Sequence, residues 1–268
     1  MILDLDIGNT LTKWRLKSIE TSEILDRGSI WTRDRWEDSD EMPSFDLIKL
    51  LRVSNVGGEE VLAEVQRMAR RYRVPLHVAR VVERFASVRN AYQQPGTLGV
   101  DRWLGILAGY HVLGGCCVVD CGSAITTDFV QGDGRHLGGF ISPGLRLMKE
   151  SLKLGTRNIM INPNEDLQGL MTPGTSTQEA VAHGIYLSAI GQINAAYQQV
   201  AAGQEEKLPL VLTGGDALLV GKGLEVAVVY WPDMVYAGLE LMFPVTLAEK
   251  SGQLSGADEL NFQKKLAL

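Results

Sequence analysis

One pattern, written twice, limits this chain more than anything else in it. An apolar run, Met1-Ile2-Leu3-Asp4-Leu5-Asp6, leads into Ile7-Gly8-Asn9-Thr10 and out through the alternating Leu11-Thr12-Lys13-Trp14-Arg15-Leu16. A second run, Cys116-Cys117-Val118-Val119-Asp120, leads into Cys121-Gly122-Ser123-Ala124 and out through Ile125-Thr126-Thr127-Asp128-Phe129-Val130. Each reads as strand, tight turn, strand, with Gly and a small polar residue at the turn. Asp6 and Asp120 are 114 positions apart in 268 residues, and aligning them sets Leu11 beside Ile125 and Thr12 beside Thr126. Self-similarity on that scale predicts two similar α/β halves, 1–114 and 115–248, each opening on its own hairpin. A polar tail is expected over 249–268.

The segments between fit that plan. Val61, Leu62, Val65, Met68, Ala69 and Tyr72 fall at helical spacing, and Pro75 to Val82 reads as a strand. Helices are predicted over Asp101 to Val112, Gln178 to Ala201 and Met234 to Met242; strands are predicted over His136 to Ser142 and Leu208 to Thr213. With 45% hydrophobic and 22% charged residues the chain is an ordinary globular one. Its net charge of -6 argues against a general nucleic-acid binder, which needs a basic face to displace counterions. No run approaches the ~20 apolar residues of a membrane span. Asp4 and Asp6 inside the early apolar run do not read as a secretory signal, so a cytoplasmic location is expected. Cys116, Cys117 and Cys121 are odd in number and set among apolar residues, which reads as buried thiols rather than a disulfide framework or a metal site. The apolar stretch Trp103 to Leu113 offers a two-fold helical contact between copies.

A hairpin of the form Asp-x-Gly-polar has a chemical use beyond turning. Glycine lets backbone N–H groups approach a phosphate, a hydroxyl or amide side chain adds a donor, and a strand-end carboxylate can hold Mg2+ directly or through water. One such hairpin says little; two copies would clamp a nucleotide's phosphates from both sides. Competing signatures are missing. Gly215 to Gly223 lacks the P-loop spacing and its Ser or Thr, and no Gly-x-Gly-x-x-Gly, His-Glu-x-x-His or Gly-x-Ser-x-Gly occurs in a fitting context.

Taken together, these segments resemble the superfamily of actin, sugar kinases and heat-shock ATPases, and within it the type III pantothenate kinases. The carriers are Asp6-Ile7-Gly8-Asn9-Thr10 with Lys13, Gly99-Val100-Asp101-Arg102, Asp120-Cys121-Gly122-Ser123-Ala124, Gly138-Gly139-Phe140-Ile141-Ser142-Pro143-Gly144, Ser176-Thr177-Gln178-Glu179-Ala180 with Gly184, and Pro232-Asp233 with Gly238-Leu239. The resemblance implies two ribonuclease H-like (actin-like ATPase) halves with the active site in the cleft between them. It implies ATP-dependent phosphorylation of pantothenate to 4'-phosphopantothenate, the first step toward coenzyme A, by a cytoplasmic homodimer that needs Mg2+ and a monovalent cation, K+ or NH4+.

Carried over residue by residue, Asp6, Ile7, Gly8, Asn9, Thr10, Leu11, Thr12 and Lys13 would form the first phosphate loop. Gly122 and Ser123 would form the second, with Ser123 where Thr is more usual. Asp6 would hold Mg2+ through water, and Asp120 the monovalent cation. Asp101 would be the general base toward the primary hydroxyl of pantothenate, and an aspartate is already ionised at neutral pH. Tyr92, Gly99, Val100, Arg102 and Thr177 would contact the substrate. Ser176 stands where Asn is usual, so Thr175 is kept as a second candidate. After Gly155-Thr156 the family's Ala-x-Leu-Pro continuation is absent, and a differently shaped cover is expected there. Gly214-Gly215-Asp216 would lie on the adenosine side. Two other readings stand beside the pantothenate kinase: a regulatory or accessory protein of the same fold, and a sugar or acetate kinase. Asp6, Asp101, Arg102 and Asp120 argue against the first, and the short chain against the second.

Overall fold

The computed structural model describes residues 1–34, 36, 41–156, 171–203 and 207–245. The tail expected over 249–268 and the continuation after Thr156 lie outside the described residues. The chain divides into two compact units. One comprises Met1–Ser87, Tyr92–Ala108 and the described residues from Val235 on; the other comprises Val88–Ala91 and Gly109–Met234.

The first unit is built on β1 (Ile2–Ile7), β2 (Leu11–Lys17), β3 (Ile24–Trp31), β4 (Leu50–Asn55) and β5 (Leu76–Val78), in the order β3-β2-β1-β4-β5. β1, β2 and β3 run antiparallel in turn, while β4 and β5 add in parallel, joined through α1 (Glu59–Tyr72). The strand expected from Pro75 to Val82 is shorter: its pairing ends at Val53 and Val78, closed by the Ala79 N–H to the Val53 carbonyl at 2.8 Å. Two short strands, β6 (Arg84–Phe85) and β7 (Val88–Arg89), precede α2 (Val100–Leu113).

The second unit repeats the plan with β8 (Cys116–Cys121), β9 (Ala124–Val130) and β10 (His136–Pro143), then α3 (Leu145–Gly155) and α4 (Thr177–Ala201). β11 (Leu210–Thr213), α5 (Ala217–Gly221) and β12 (Val228–Tyr230) follow, and α6 (Met234–Met242) ends the described helices. Its sheet order, β10-β9-β8-β11-β12, and its strand directions match the first sheet position for position. The repeat read from two hairpins is therefore a repeat of whole sheets. No helix among the described residues is long and apolar enough to cross a membrane.

Strand alternation decides what each face carries. In β1, Leu3, Leu5 and Ile7 are fully buried and pack in one core with Val65, Met68 and Ala69 of α1. In β8, Cys117, Val119 and Cys121 pack with Ile185, Ala189, Ile193 and Tyr197 of α4. Trp103, Leu104, Ile106, Leu107 and Ala108 of α2 are at most 2% exposed. These side chains fill the chain's own interior, so of the stretch expected to offer a two-fold contact only its end, with Val112 61% exposed, stays at the surface. α2 also meets α6 backbone to backbone, since a Cβ at Gly238 would overlap the Leu104 carbonyl. This explains a glycine that the sequence marked only as part of a motif.

The opposite face of the first sheet carries charge. Asp4 is directly across from Arg15 on β2 and from Arg52 on β4, and it has no exposed surface. Arg52 grips it with Nε at 2.7 Å and Nη2 at 3.0 Å, and Arg15 donates through Nη2 at 2.8 Å. α6 closes the cluster: Glu240 accepts from Arg15 and from Lys17 Nζ at 2.5 Å, and Arg52 also donates to the Phe243 carbonyl. Burial works against the charge on Glu240, but the Lys17 hydrogen bond and the charges of Arg15, Lys17 and Arg52 outweigh it and hold its carboxyl below the usual range. Stability from that charge is present above the ordinary carboxylate range and is lost only as pH falls through the depressed value. Asp4→Asn would leave Arg15 and Arg52 buried without their shared counter-charge; a loss of about 3–5 kcal/mol in urea-unfolding free energy is expected, and a loss below ~1 kcal/mol would contradict it.

Candidate active site

The first turn hangs between β1 and β2. Gly8 N–H bonds to the Leu11 carbonyl at 3.0 Å, closing a turn that leaves Asn9 exposed at its tip. Asp6 and Lys13 face one another across the strands at the mouth of this turn. Behind it, a Cβ at Gly57 would lie 2.8 Å from the Gly8 carbonyl, so only a glycine fits there. Thr32 donates its hydroxyl to that same carbonyl at 2.8 Å. Neither Gly57 nor Thr32 was legible as part of the site, because both approach from segments with no motif.

The second turn is one residue tighter. Gly122 N–H reaches the Ala124 carbonyl at 3.1 Å, two residues on, whereas Gly8 reaches Leu11, three residues on. Register then places Ile125 opposite Cys121, where Thr12 stands opposite Ile7, and Thr126 opposite Asp120, where Lys13 stands opposite Asp6. Setting Thr12 beside Thr126 is therefore corrected. The returning strands are equivalent only after a shift of one residue, and such a shift exchanges the two faces of a strand.

The carbonyls of the second turn are also tied back. Asp216 N–H donates to Cys121 O and Gly144 N–H to Ser123 O, both at 3.0 Å. A Cβ at Gly144 would overlap the Gly122 carbonyl and lie 2.7 Å from that of Ser123. Gly214, with φ +93°, leaves no room for a Cβ against the Asp120 carboxylate. Burial raises the Asp216 carboxyl, against the opposing charges of Arg146 and Lys149. Ser123 itself is exposed.

The remaining candidates fall into two groups. At the start of α2 the structure gathers Tyr92, Gly99, Val100, Asp101 and Arg102. Asp101 Oδ1 accepts the Arg102 N–H at 2.8 Å, and Arg102 Nη1 donates to the Tyr92 hydroxyl at 3.0 Å. A Cβ at Gly99 would sit 2.5 Å from Asp101 Oδ1, so the absent side chain makes space for the carboxylate. The helix N-terminus favours the negative charge, and Arg102 is 7% exposed despite its charge. Val100, in the same segment, is buried.

At the start of α4, Ser176 is the N-cap and accepts the Glu179 N–H at 3.2 Å. Thr175 gives both its N–H and its hydroxyl to Glu179 Oε2, at 2.7 and 2.8 Å. These two bonds, the backbone one first, draw the Glu179 carboxyl below its usual range. Thr177 is exposed on the first turn.

The three cysteines are buried in β8. Desolvation pushes the Cys116 thiol up to about 12 and those of Cys117 and Cys121 upward as well, which leaves them inert at neutral pH. Gly144→Ala should cost about 1–3 kcal/mol of thermal unfolding free energy by pressing on the second turn; a variant as stable as the parent would show that Gly144 is no constraint.

Residues 2–199 match the family model described as type III pantothenate kinase. A type III pantothenate kinase of Chromohalobacter salexigens is 55% identical over 257 residues, covering 96% of this chain and 92% of that protein. One from Pseudomonas putida is 36% identical over 256 residues, covering 91% of this chain and all of that protein. Among solved structures, a Campylobacter jejuni protein described as a Baf family transcriptional activator aligns with a TM-score of 0.58 at 20% identity, over 94% of this chain and all of that one. That likeness bears on the fold alone.

Proposed function

The chain belongs to the type III pantothenate kinase family, and we propose on that premise how its own residues carry out the family's reaction. The protein is a kinase that phosphorylates pantothenate with ATP to 4'-phosphopantothenate, the first step of coenzyme A biosynthesis. The observation that carries this is the 55% identity to a type III pantothenate kinase across nearly the whole of both chains. Nothing in the comparisons favours an accessory protein over the kinase.

Asp101 is the general base. Its place on the first turn of α2, with Oδ1 steadied by the Arg102 N–H, supports a carboxylate of fixed orientation that takes the proton of the attacking hydroxyl as the new P–O bond forms. Arg102 and Tyr92, bonded to each other, offer a guanidinium and a phenol for the amide and carboxylate of pantothenate. Of the two threonines, Thr177 is favoured as the substrate contact, because Thr175 already gives its hydroxyl to Glu179.

Asp6 to Lys13 and Gly122 with Ser123 are the two phosphate loops; the Gly8 and Gly122 N–H groups close the turns themselves, and Asn9 and Ser123, exposed at the tips, each bring a side-chain donor. Asp6, a partly exposed strand-end carboxylate, fits water-mediated Mg2+, a hard cation that keeps much of its hydration shell and neutralises phosphate charge. Asp120 suits the monovalent cation, K+ or NH4+. Its cross-strand neighbour Thr126 is neutral where Asp6 faces Lys13, so no ammonium competes from that position. A cytoplasmic homodimer completes the reading. Ile141, 63% exposed on the edge strand β10, is an apolar side chain it would cover.

Purified protein should convert pantothenate with ATP and Mg2+, and faster when K+ or NH4+ replaces Na+; phosphorylation of sugars with no turnover of pantothenate would sink the assignment. Asp101→Asn should keep the parent's unfolding midpoint while kcat falls by about 10^2 to 10^4. Near-normal kcat in that variant would remove Asp101 from the chemistry.

A further inference from the structure

Thr32 lies outside every motif, on the turn that follows β3, and is 6% exposed. Its N–H donates to the Thr10 carbonyl at 3.0 Å and its hydroxyl to the Gly8 carbonyl at 2.8 Å, so it holds the first turn at two points. A third group joins them: Thr12 Oγ1, fully buried, is 3.1 Å from Thr32 Oγ1. A hydroxyl has one proton to give, and a carbonyl can only accept. Thr32 therefore spends its proton on Gly8 O, and Thr12 must donate to Thr32. The direction of this relay, Thr12 to Thr32 to Gly8, is fixed by the acceptor at its end.

The consequence falls on the next peptide group. In a planar trans peptide the C=O and N–H point in opposite directions, so tying the Gly8 carbonyl to Thr32 turns the Asn9 N–H away from the buried threonines. Asn9 is the exposed tip of the turn. A Cβ at Gly57 would lie 2.8 Å from Gly8 O and 3.0 Å from Thr32 Cγ2, so main chain packs closely on the inner side and leaves the peptide little space to rotate.

We propose that Thr32, supported by Thr12, is a positioning residue for the kinase reaction: it locks the Gly8–Asn9 peptide so that the Asn9 amide is presented to a phosphate of ATP. This rests on reading Asp6 to Lys13 as a phosphate loop. Without the lock the peptide can turn its carbonyl outward, and an acceptor would then face an anion.

Thr32→Val keeps the side-chain shape and removes the donor, while Thr32→Ser keeps the donor. Steady-state kinetics on the full chain should show the ATP KM of Thr32→Val raised about tenfold, with the pantothenate KM within twofold of the parent and Thr32→Ser close to the parent for both. A valine variant with unchanged ATP KM, an equal rise for both substrates, or a serine variant as impaired as the valine one would each overturn the proposal. Should Thr32→Val fail to fold, Thr32→Ala carries the test: a rise confined to the ATP KM supports the lock, and no selective rise overturns it. ATP titration calorimetry on the same proteins, read as the same pattern of affinity loss, decides the role of Thr32 even if the parent shows no turnover of pantothenate, a result that would defeat the functional reading separately.

Discussion

A carboxylate with no exposed surface has to be matched by positive charge before the first unit can exist, and Asp4 is that carboxylate. Its partners Arg15 and Arg52 come from the two strands that flank β1, so the match can form only when β1, β2 and β4 are in register. Glu240 then brings α6 to the same cluster. One buried ion cluster thus couples the central strands to the last described helix. Two residues further along β1, on the same face, Asp6 is left partly exposed and faces Lys13. Identical side chains in one strand differ in how much water reaches each, which suits Asp4 to structure and Asp6 to its proposed role toward Mg2+.

As the proposed phosphate loops, the two turns would meet one requirement by different means. An anion is bound by N–H groups, so the carbonyls of a phosphate loop have to be occupied elsewhere. In the first turn a threonine hydroxyl takes the Gly8 carbonyl; in the second, the backbone N–H groups of Gly144 and Asp216 take those of Ser123 and Cys121. Each arrangement depends on glycine behind the turn, Gly57 in one and Gly144 with Gly214 in the other, because backbone lies where a Cβ would be. With 29 glycines in 268 residues, more than the average ~7%, the sequence uses several of them to let main chain pack against main chain.

Much of this was legible in advance where it depends on local pattern. Apolar runs marked β1 and β8, and the strands returning from their turns marked β2 and β9; helical spacing marked α1, α2, α4 and α6; and the Asp-x-Gly repeat foretold two like units. What escaped was set by pairing across distance. The one-residue difference between the turns depends on whether Gly122 bonds two or three residues ahead, and both choices suit the same residue types. Strands β3 and β4 went unmarked because polar or charged residues interrupt their apolar positions. Arg52 in particular reads as a surface residue until Asp4 is placed beside it.

The sequence by itself determined the doubled α/β plan and the helix that starts at Asp101, and its motifs carried the resemblance that named the family and, through it, Tyr92, Asp101 and Arg102. The plan and the helix follow from spacing within short segments, where a few neighbouring residues settle the backbone. Only the tertiary structure decided which face each returning strand presents, that α6 completes the first unit, and that Thr32 and Gly57 stand behind the first turn. Those features are contacts between residues tens to hundreds of positions apart, and their hydrogen bonds and charges acquire a partner only once the chain has folded.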